Sequence, residues 1–372
     1  MAFRDYVTCM RLAFVLEHFR PGAGGAEGYA VAVADGLARR GHEVHVVARD
    51  GAAMPGLCFH PTPTGSLAAA SANLDALVID WGLRVPADLH RLGGGVSQVF
   101  HRYNRLSRGP CGRWLARARV MLSPQKRREM RREEQLLAAP RGRLLAVSEF
   151  VACQVREVVP AAASRLVVLH NGVDTARFNP PDAAARRARR RAELGFTPEQ
   201  VVFLFLAHNP RLKNAALLYR VFRALHPRLP NLRLLALGKH RPGPAAPWLV
   251  HAGTVSDPVD AYLAADTLLH PTFYDACANV ALEAAAAGLP VVSSDLNGSA
   301  ELFTQDQDGL VLPVAFHPRP EVDAQWSQAV ERLAGDAAYR HRLGSAARDL
   351  AARHTLDRYL DQFEALLTPA AP

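Results

Sequence analysis

Apolar residues in this chain fall into short runs separated by helical stretches. Leu12-Ala-Phe-Val-Leu-Glu17 reads as a first strand, and the glycine-rich turn Pro21-Gly22-Ala-Gly24-Gly25-Ala-Glu27-Gly28 follows it. A helix is predicted from Tyr29 to Arg40, with Gly41 as its stop and a second strand running to Ala48. Strand, glycine loop, helix, strand is the opening of a doubly wound parallel α/β domain. Further strands are predicted within 75–82, Leu144–Ser148 and Leu166–Leu169. Pro180-Pro181 and the arginine-rich helix Ala183–Leu194 mark a boundary, after which a second α/β set begins. Its strands are Val201–Leu206, Leu232–Leu237, Val250–Gly253 and Thr267–His270, and its helices Ala215–Leu225 and Val259–Ala265. A short helix starting near Ala278 stops at Gly288, before a strand at Val291-Val292, and Arg342–Leu367 reads as one terminal helix. The expected division is therefore 10–180, 181–350 and a terminal helix in 351–372, with residues 1–9 an extension before the natural first strand.

The densest chemistry lies in His270-Pro-Thr-Phe-Tyr-Asp275-Ala-Cys-Ala-Asn279-Val-Ala-Leu-Glu283. Asp275 falls in the loop after a strand. A helix start near Ala278, Asn279 and Val280 points free amides and a positive dipole end into the crevice above the sheet, a setting suited to phosphate. Asn279 and Glu283 are four apart and share a helical face, about 6 Å apart along the axis. An anion flanked by two carboxylates fits a sugar nucleotide, with amides for the diphosphate and acids for sugar and ribose hydroxyls. Strand Val201–Leu206 opens into Ala207-His208-Asn209-Pro210-Arg211-Leu212-Lys213-Asn214, which places two cations where a diphosphate would leave. The glycine turn is not the dinucleotide fingerprint, because its spacing differs and no acid ends the second strand.

This passage resembles the family-4 retaining glycosyltransferases of the GT-B fold, whose signature is two acids separated by seven residues, with Asp275 in place of the first glutamate as in lipopolysaccharide-core enzymes. The resemblance extends from Met10 to about Leu367 and includes His170-Asn171-Gly172-Val173-Asp174. It implies two Rossmann-like domains facing a cleft and a C-terminal helix crossing back to the first. It also implies that Glu283 holds the ribose, Asp275 the transferred sugar, and Arg211 and Lys213 the phosphates. The glycine loop with Gly24 and Gly25 approaches the donor, and Asn209 belongs to the same site. The resemblance further implies retention by front-side attack. The sugar-contacting residue of the first domain is sought in Leu92 to Arg102, where His101 is the candidate and His90 its rival. No Asp-x-Asp motif occurs in a suitable loop, so neither a metal nor a cofactor beyond the donor is expected. Two alternatives stay open: a sugar-nucleotide epimerase of the same fold, and a degenerate sugar-nucleotide-binding protein.

Charge adds a partner. The net charge is +9, and Arg113, Arg117, Arg119, Lys126, Arg127, Arg128, Arg131 and Arg132 crowd between residues 102 and 143. Aromatics do not alternate with them as nucleic-acid stacking requires. Trp114, Leu115, Val120, Met121, Leu122 and Met130 are interleaved instead, as on an interfacial helix or a solvated charged face. The expected partners are a nucleotide-sugar donor, a glycan or glycolipid acceptor and an anionic membrane surface, with no nucleic acid. The five cysteines are scattered without a CxxC pair, and no apolar run reaches the roughly 18 residues of a membrane span. A cytoplasmic location, peripheral at the inner membrane face, is expected.

Overall fold

In the computed structural model, which describes residues 9–20, 25–206 and 208–368, each predicted strand is present and lies in one of two wholly parallel sheets. The predicted extension, Cys9 apart, and Gly24 of the glycine loop lie outside the described residues. The first sheet contains β1 (Arg11–Phe19), β2 (Glu43–Gly51), β3 (Leu57–Pro61), β4 (Leu77–Asp80), β5 (Leu89–Leu92), β6 (Arg143–Ala146) and β7 (Leu166–Val168). The second contains β8 (Val201–Leu206), β9 (Leu232–Leu237), β10 (Leu249–Gly253), β11 (Thr267–His270), β12 (Val291–Ser294) and β13 (Leu310–Leu312). Their orders are β3-β2-β1-β4-β5-β6-β7 and β10-β9-β8-β11-β12-β13. Both reverse direction once, between β1 and β4 and between β8 and β11. Those two points open crevices at the carboxyl ends of the strands.

Apolar residues on both faces explain why the strands are so legible. All six residues of β8 are buried, with Val202, Leu204 and Leu206 on one face and Val201, Phe203 and Phe205 on the other. The unanticipated strands lack that signal. β5 reads Leu-His-Arg-Leu, yet both polar residues are buried: His90 pairs with Asp80 at 3.0 Å, and Arg91 is enclosed by aromatic rings. His90 is thereby a core residue of the first domain.

The basic region resolves into three helices, Ser97–Leu106, Pro110–Met121 and Pro124–Ala138. Prolines begin the last two, and the Ser123 side chain caps the third. The single terminal helix expected over 342–367 is instead two, Ala337–Arg353 and Leu356–Leu367. Thr355 is extended between them, and its side chain accepts from the Arg358 N–H, so it starts a new helix rather than continuing the old one. Thr355 also bridges to Val173, and the chain returns here to the first domain. Tyr359, Leu360, Phe363 and Leu367 bury in its core beside Phe14, Tyr29 and Leu37. Gly36 permits that approach, since a Cβ there would lie 2.5 Å from Leu360 Cδ1. Among the described residues, no helix is long and apolar enough to cross a membrane.

Candidate active site

The loops after β8 and β11 meet at the second sheet's reversal point and carry the charged core of the site. Asn209 shapes the first loop: its Oδ1 accepts from the Leu212 N–H at 3.2 Å and its carbonyl from Lys213 at 2.9 Å. Asn214 then takes a left-handed conformation (φ 55°, ψ 42°), which asparagine tolerates, before the helix Ala215–Leu225. The turn aims Lys213 at Asp275, and Lys213 Nζ donates to Asp275 Oδ2. His270, at the end of β11 and 1% exposed, brings Nε2 to 3.3 Å from the same oxygen. Burial alone would push the Asp275 carboxyl up, but Lys213 and His270 hold it well below the usual carboxylate range. Burial and Lys213 lower the His270 imidazole, so the group beside Asp275 is neutral near pH 7. The result is a fixed carboxylate with a cation against it.

Asp275 leads directly into a helix N-terminus. The helix Asn279–Ala286 has Ala278 as its cap, and the Ala278 N–H donates to Asn297 Oδ1 at 3.1 Å. Ala278 is therefore committed to Asn297, while Asn279 and Val280, in the first turn, have amides without intrahelical acceptors. Asn297 is a fully engaged buried brace, also donating to Ser293 and Ser299. Next to it, a Cβ on Gly298 would lie 1.9 Å from the Ala276 carbonyl oxygen, so only glycine lets the two loops pass. Glu283 sits one turn further along, half-buried, and its Oε2 accepts from the Tyr262 hydroxyl at 2.6 Å. Burial pushes the Glu283 carboxyl up, with the Tyr262 hydroxyl and Arg177 opposing.

The first domain closes over this crevice. Asn171 Nδ2 donates to Asn279 Oδ1 at 2.7 Å, and the Gly25 carbonyl receives Asn279 Nδ2 at 3.5 Å. Gly25 opens its helix with φ +68°. Tyr274 enters the first domain among Phe100, Tyr103 and Phe150, and its hydroxyl meets the Gly94 carbonyl at 3.1 Å and Gln154 at 3.0 Å. Ser148 Oγ donates to the Ala276 carbonyl at 2.6 Å.

Two candidates are not brought into the cluster. Arg211 points across the cleft and donates to Asn104 and Ser107, so it joins the domains rather than lying free beside Lys213. His101 lines a different cavity of about 300 Å³ with Val99, Arg105, Val120, Met121 and Met130. The helical period explains that placement: Phe100 and Tyr103 of the same helix face Tyr274, which turns His101 away. His270, Asn297 and Arg91 carry structural weight that the sequence reading passed over. Of these, only His270 had a signal, a histidine ending the strand at the reversal point.

Two parallel-sheet domains facing a cleft, with a carboxylate, a lysine and a helix start at its centre, form an anion-binding site at a topological switch point. The chain belongs to the glycosyltransferases. A family model described as Glycosyltransferase Family 4 matches residues 23–177, and one described as Glycosyl transferases group 1 matches residues 200–336. The chain is 29% identical over 257 residues to D-inositol 3-phosphate glycosyltransferase of Nocardia farcinica, covering 63% of this chain and 55% of that protein. The fold is similar to WaaG, a glycosyltransferase involved in lipopolysaccharide biosynthesis (TM-score 0.77, 18% identity, 96% and 100% of the two chains). It is also similar to Anabaena Alr3699/HepE in complex with UDP and glucose (TM-score 0.69, 17% identity, 97% and 100%).

Proposed function

We infer that this protein transfers a hexose or heptose from a nucleotide-diphosphate sugar to a lipopolysaccharide-core or other lipid-linked glycan, with retention and without a metal. The observation that carries this reading is the Lys213–Asp275 pair set against the start of the helix Asn279–Ala286 in a cleft between two domains. Departure of a nucleoside diphosphate builds charge on the phosphates. Lys213 and the first-turn amides are placed to stabilise it, so the protein supplies what a divalent ion otherwise would. On this reading Asp275, held ionised, accepts sugar hydroxyls, and Glu283 accepts those of the ribose. The UDP and glucose bound to the similar fold of Alr3699/HepE agree in ligand type. Retention follows the family resemblance, with the acceptor approaching the face that the diphosphate leaves.

The test is incubation with labelled UDP-, ADP- and GDP-sugars, with and without EDTA, against a truncated lipopolysaccharide core and against inositol phosphate, the acceptor class that the relative's name gives. Transfer to the glycolipid with retained configuration, unaffected by EDTA, is expected. An epimerised donor, or turnover that stops with EDTA and returns with magnesium, would refute the reading.

A lipid-linked acceptor agrees with a membrane-surface role for the helix Pro110–Met121, none of whose side chains is fully buried. Trp114, Leu115, Met121 and Leu122 are 50–79% exposed, and Arg127, Arg128, Arg131 and Arg132 on the next helix are exposed too. Apolar side chains beside a cationic face fit an anionic bilayer, each arginine contributing about 1 kcal/mol near its surface and less at high salt. Anionic vesicles should float the wild type at low salt, and the variant with these four arginines changed to Gln markedly less. Equal flotation of both, or none at low salt, leaves the arginines as a solvated face.

A further inference from the structure

Arg91 is the most buried arginine among the described residues, 2% exposed near the carboxyl end of β5. Its guanidinium lies 4.2 Å from the centre of the Trp81 ring and 4.9 Å from that of Tyr29. Its Nε donates to the Tyr359 hydroxyl at 3.3 Å, and Nη2 donates to Asn171 Oδ1. A Cβ on Gly93 would lie 2.3 Å from Nη1, so the adjacent glycine makes room for the group. Among the described residues, no carboxylate pairs with it; aromatic faces and neutral oxygens are what it touches. A guanidinium taken out of water is normally compensated by an acid. Rings and an amide oxygen compensate it only in part.

The missing negative charge has an evident place. Asn171, gripped by Arg91 through its oxygen, spends its nitrogen on the Cys277 carbonyl at 3.3 Å and on Asn279 Oδ1 at 2.7 Å. Cys277 precedes the helix cap and Asn279 is the first helical residue. Tyr29, which stacks on Arg91, also accepts from the Gly172 N–H at 2.8 Å through its hydroxyl. Tyr29 of the helix behind the glycine loop, Trp81 after β4, Asn171 of the crossover and Tyr359 of the terminal helix all contact the buried cation, and Asn171 links it to the start of the helix Asn279–Ala286. Through Asn171 the cation is joined to the helix end where an anion would dock.

We propose that Arg91 is a positioning residue for the diphosphate of the sugar nucleotide. It holds Asn171, which fixes Cys277 to Asn279 at the helix start, and its unneutralised charge favours the second phosphate. This rests on the donor-site reading above. A role confined to packing the first domain would leave phosphate discrimination unchanged, so the charge-dependent readout separates the two.

Calorimetry on the full chain with UDP, ADP and GDP and the matching monophosphates measures that discrimination. In Arg91→Met the preference for diphosphate over monophosphate should fall about tenfold, while Arg91→Lys, which keeps the charge, should retain most of it. Asn171→Ala keeps the cation but cuts the link, so its preference should persist while kcat falls about tenfold. Those two variants carry the test if Arg91→Met does not fold. Wild-type preference in folded Arg91→Met overturns the proposal, as does a lost preference in Arg91→Lys or wild-type kcat in Asn171→Ala. Wild-type protein that binds none of the six nucleotides overturns the donor-site reading and this inference with it. Binding by wild type with unchanged variants removes only the role of Arg91.

Discussion

Lys213→Ala is expected to lower kcat about 100-fold or more and, separately, to destabilise the fold by about 3 kcal/mol at neutral pH. The two losses have different origins. Turnover falls because the lysine faces charge that grows as the diphosphate leaves, so its effect belongs to the transition state and donor KM should move less than kcat. Stability falls because Asp275, with a side chain only 22% exposed, is left without its cation and with a neutral His270 as neighbour. The pH dependence tests this. With Lys213 present, Asp275 has a depressed folded pKa, so its stabilising contribution is present above the unfolded value of about 3.9 and is lost as pH falls through the lower folded one. Without Lys213, only His270 opposes burial, and the folded pKa is expected to rise above the unfolded one. The variant should then lose stability as pH rises and approach the wild type on acidification. Chemical denaturation of Lys213→Ala and of Lys213→Ala with Asp275→Asn, at pH 5 and pH 7.5, is the measurement. The double variant should recover stability without turnover. A pH-independent deficit, or an increase in KM with kcat intact, would show that the lysine neither neutralises Asp275 nor serves the transition state.

The elements that surround this pair were legible because both faces of their strands are covered. β8 appears in the sequence as an unbroken apolar run, β9 as one interrupted only by Arg233 and β11 as a Leu pair between Thr267 and His270, and their limits coincide with the structure. β5 did not, because His90 and Arg91 look like surface residues; only Asp80 and the rings of Trp81 and Tyr29 make them interior. Asp275, Lys213, Asn279 and Glu283 could be placed from sequence because each lies within a few residues of a strand end or helix start. Arg211 and His101 could not, since their neighbours come from distant segments: Asn104 and Ser107 take the arginine, and the helix Pro110–Met121 covers the histidine. The break at Thr355 went unread for a related reason. Helical periodicity continues across it, and the interruption serves the bridge to Val173.

Glu283→Ala should weaken nucleotide binding by about 1.5–3 kcal/mol, roughly 10- to 150-fold in Kd, with the fold intact. The size follows from losing charge-assisted bonds to ribose hydroxyls; the acceptor lost to the buried Tyr262 hydroxyl, held at 2.6 Å, costs stability and not affinity. Burial raises this carboxyl above its ordinary value, so the ionised form that accepts hydrogen bonds is maintained at a cost in the folded protein. The sign is then fixed for two measurements. Nucleotide affinity should decline on acidification at a higher pH than the ordinary glutamate value of about 4.3 would give, because protonation removes the acceptor. Stability should move the other way. A group whose folded pKa is raised disfavours the native state increasingly as pH rises, so Glu283→Gln should melt at or above the wild-type temperature near pH 7 while binding nucleotide less well. That combination, weaker binding with no loss of stability, is what a carboxylate kept for a ligand produces. Calorimetry with UDP, ADP and GDP from pH 5 to pH 8, alongside melting curves of Glu283→Gln, measures both effects. Unchanged affinity at neutral pH, or a clear drop in melting temperature for Glu283→Gln, would make this glutamate a structural partner of Tyr262 instead.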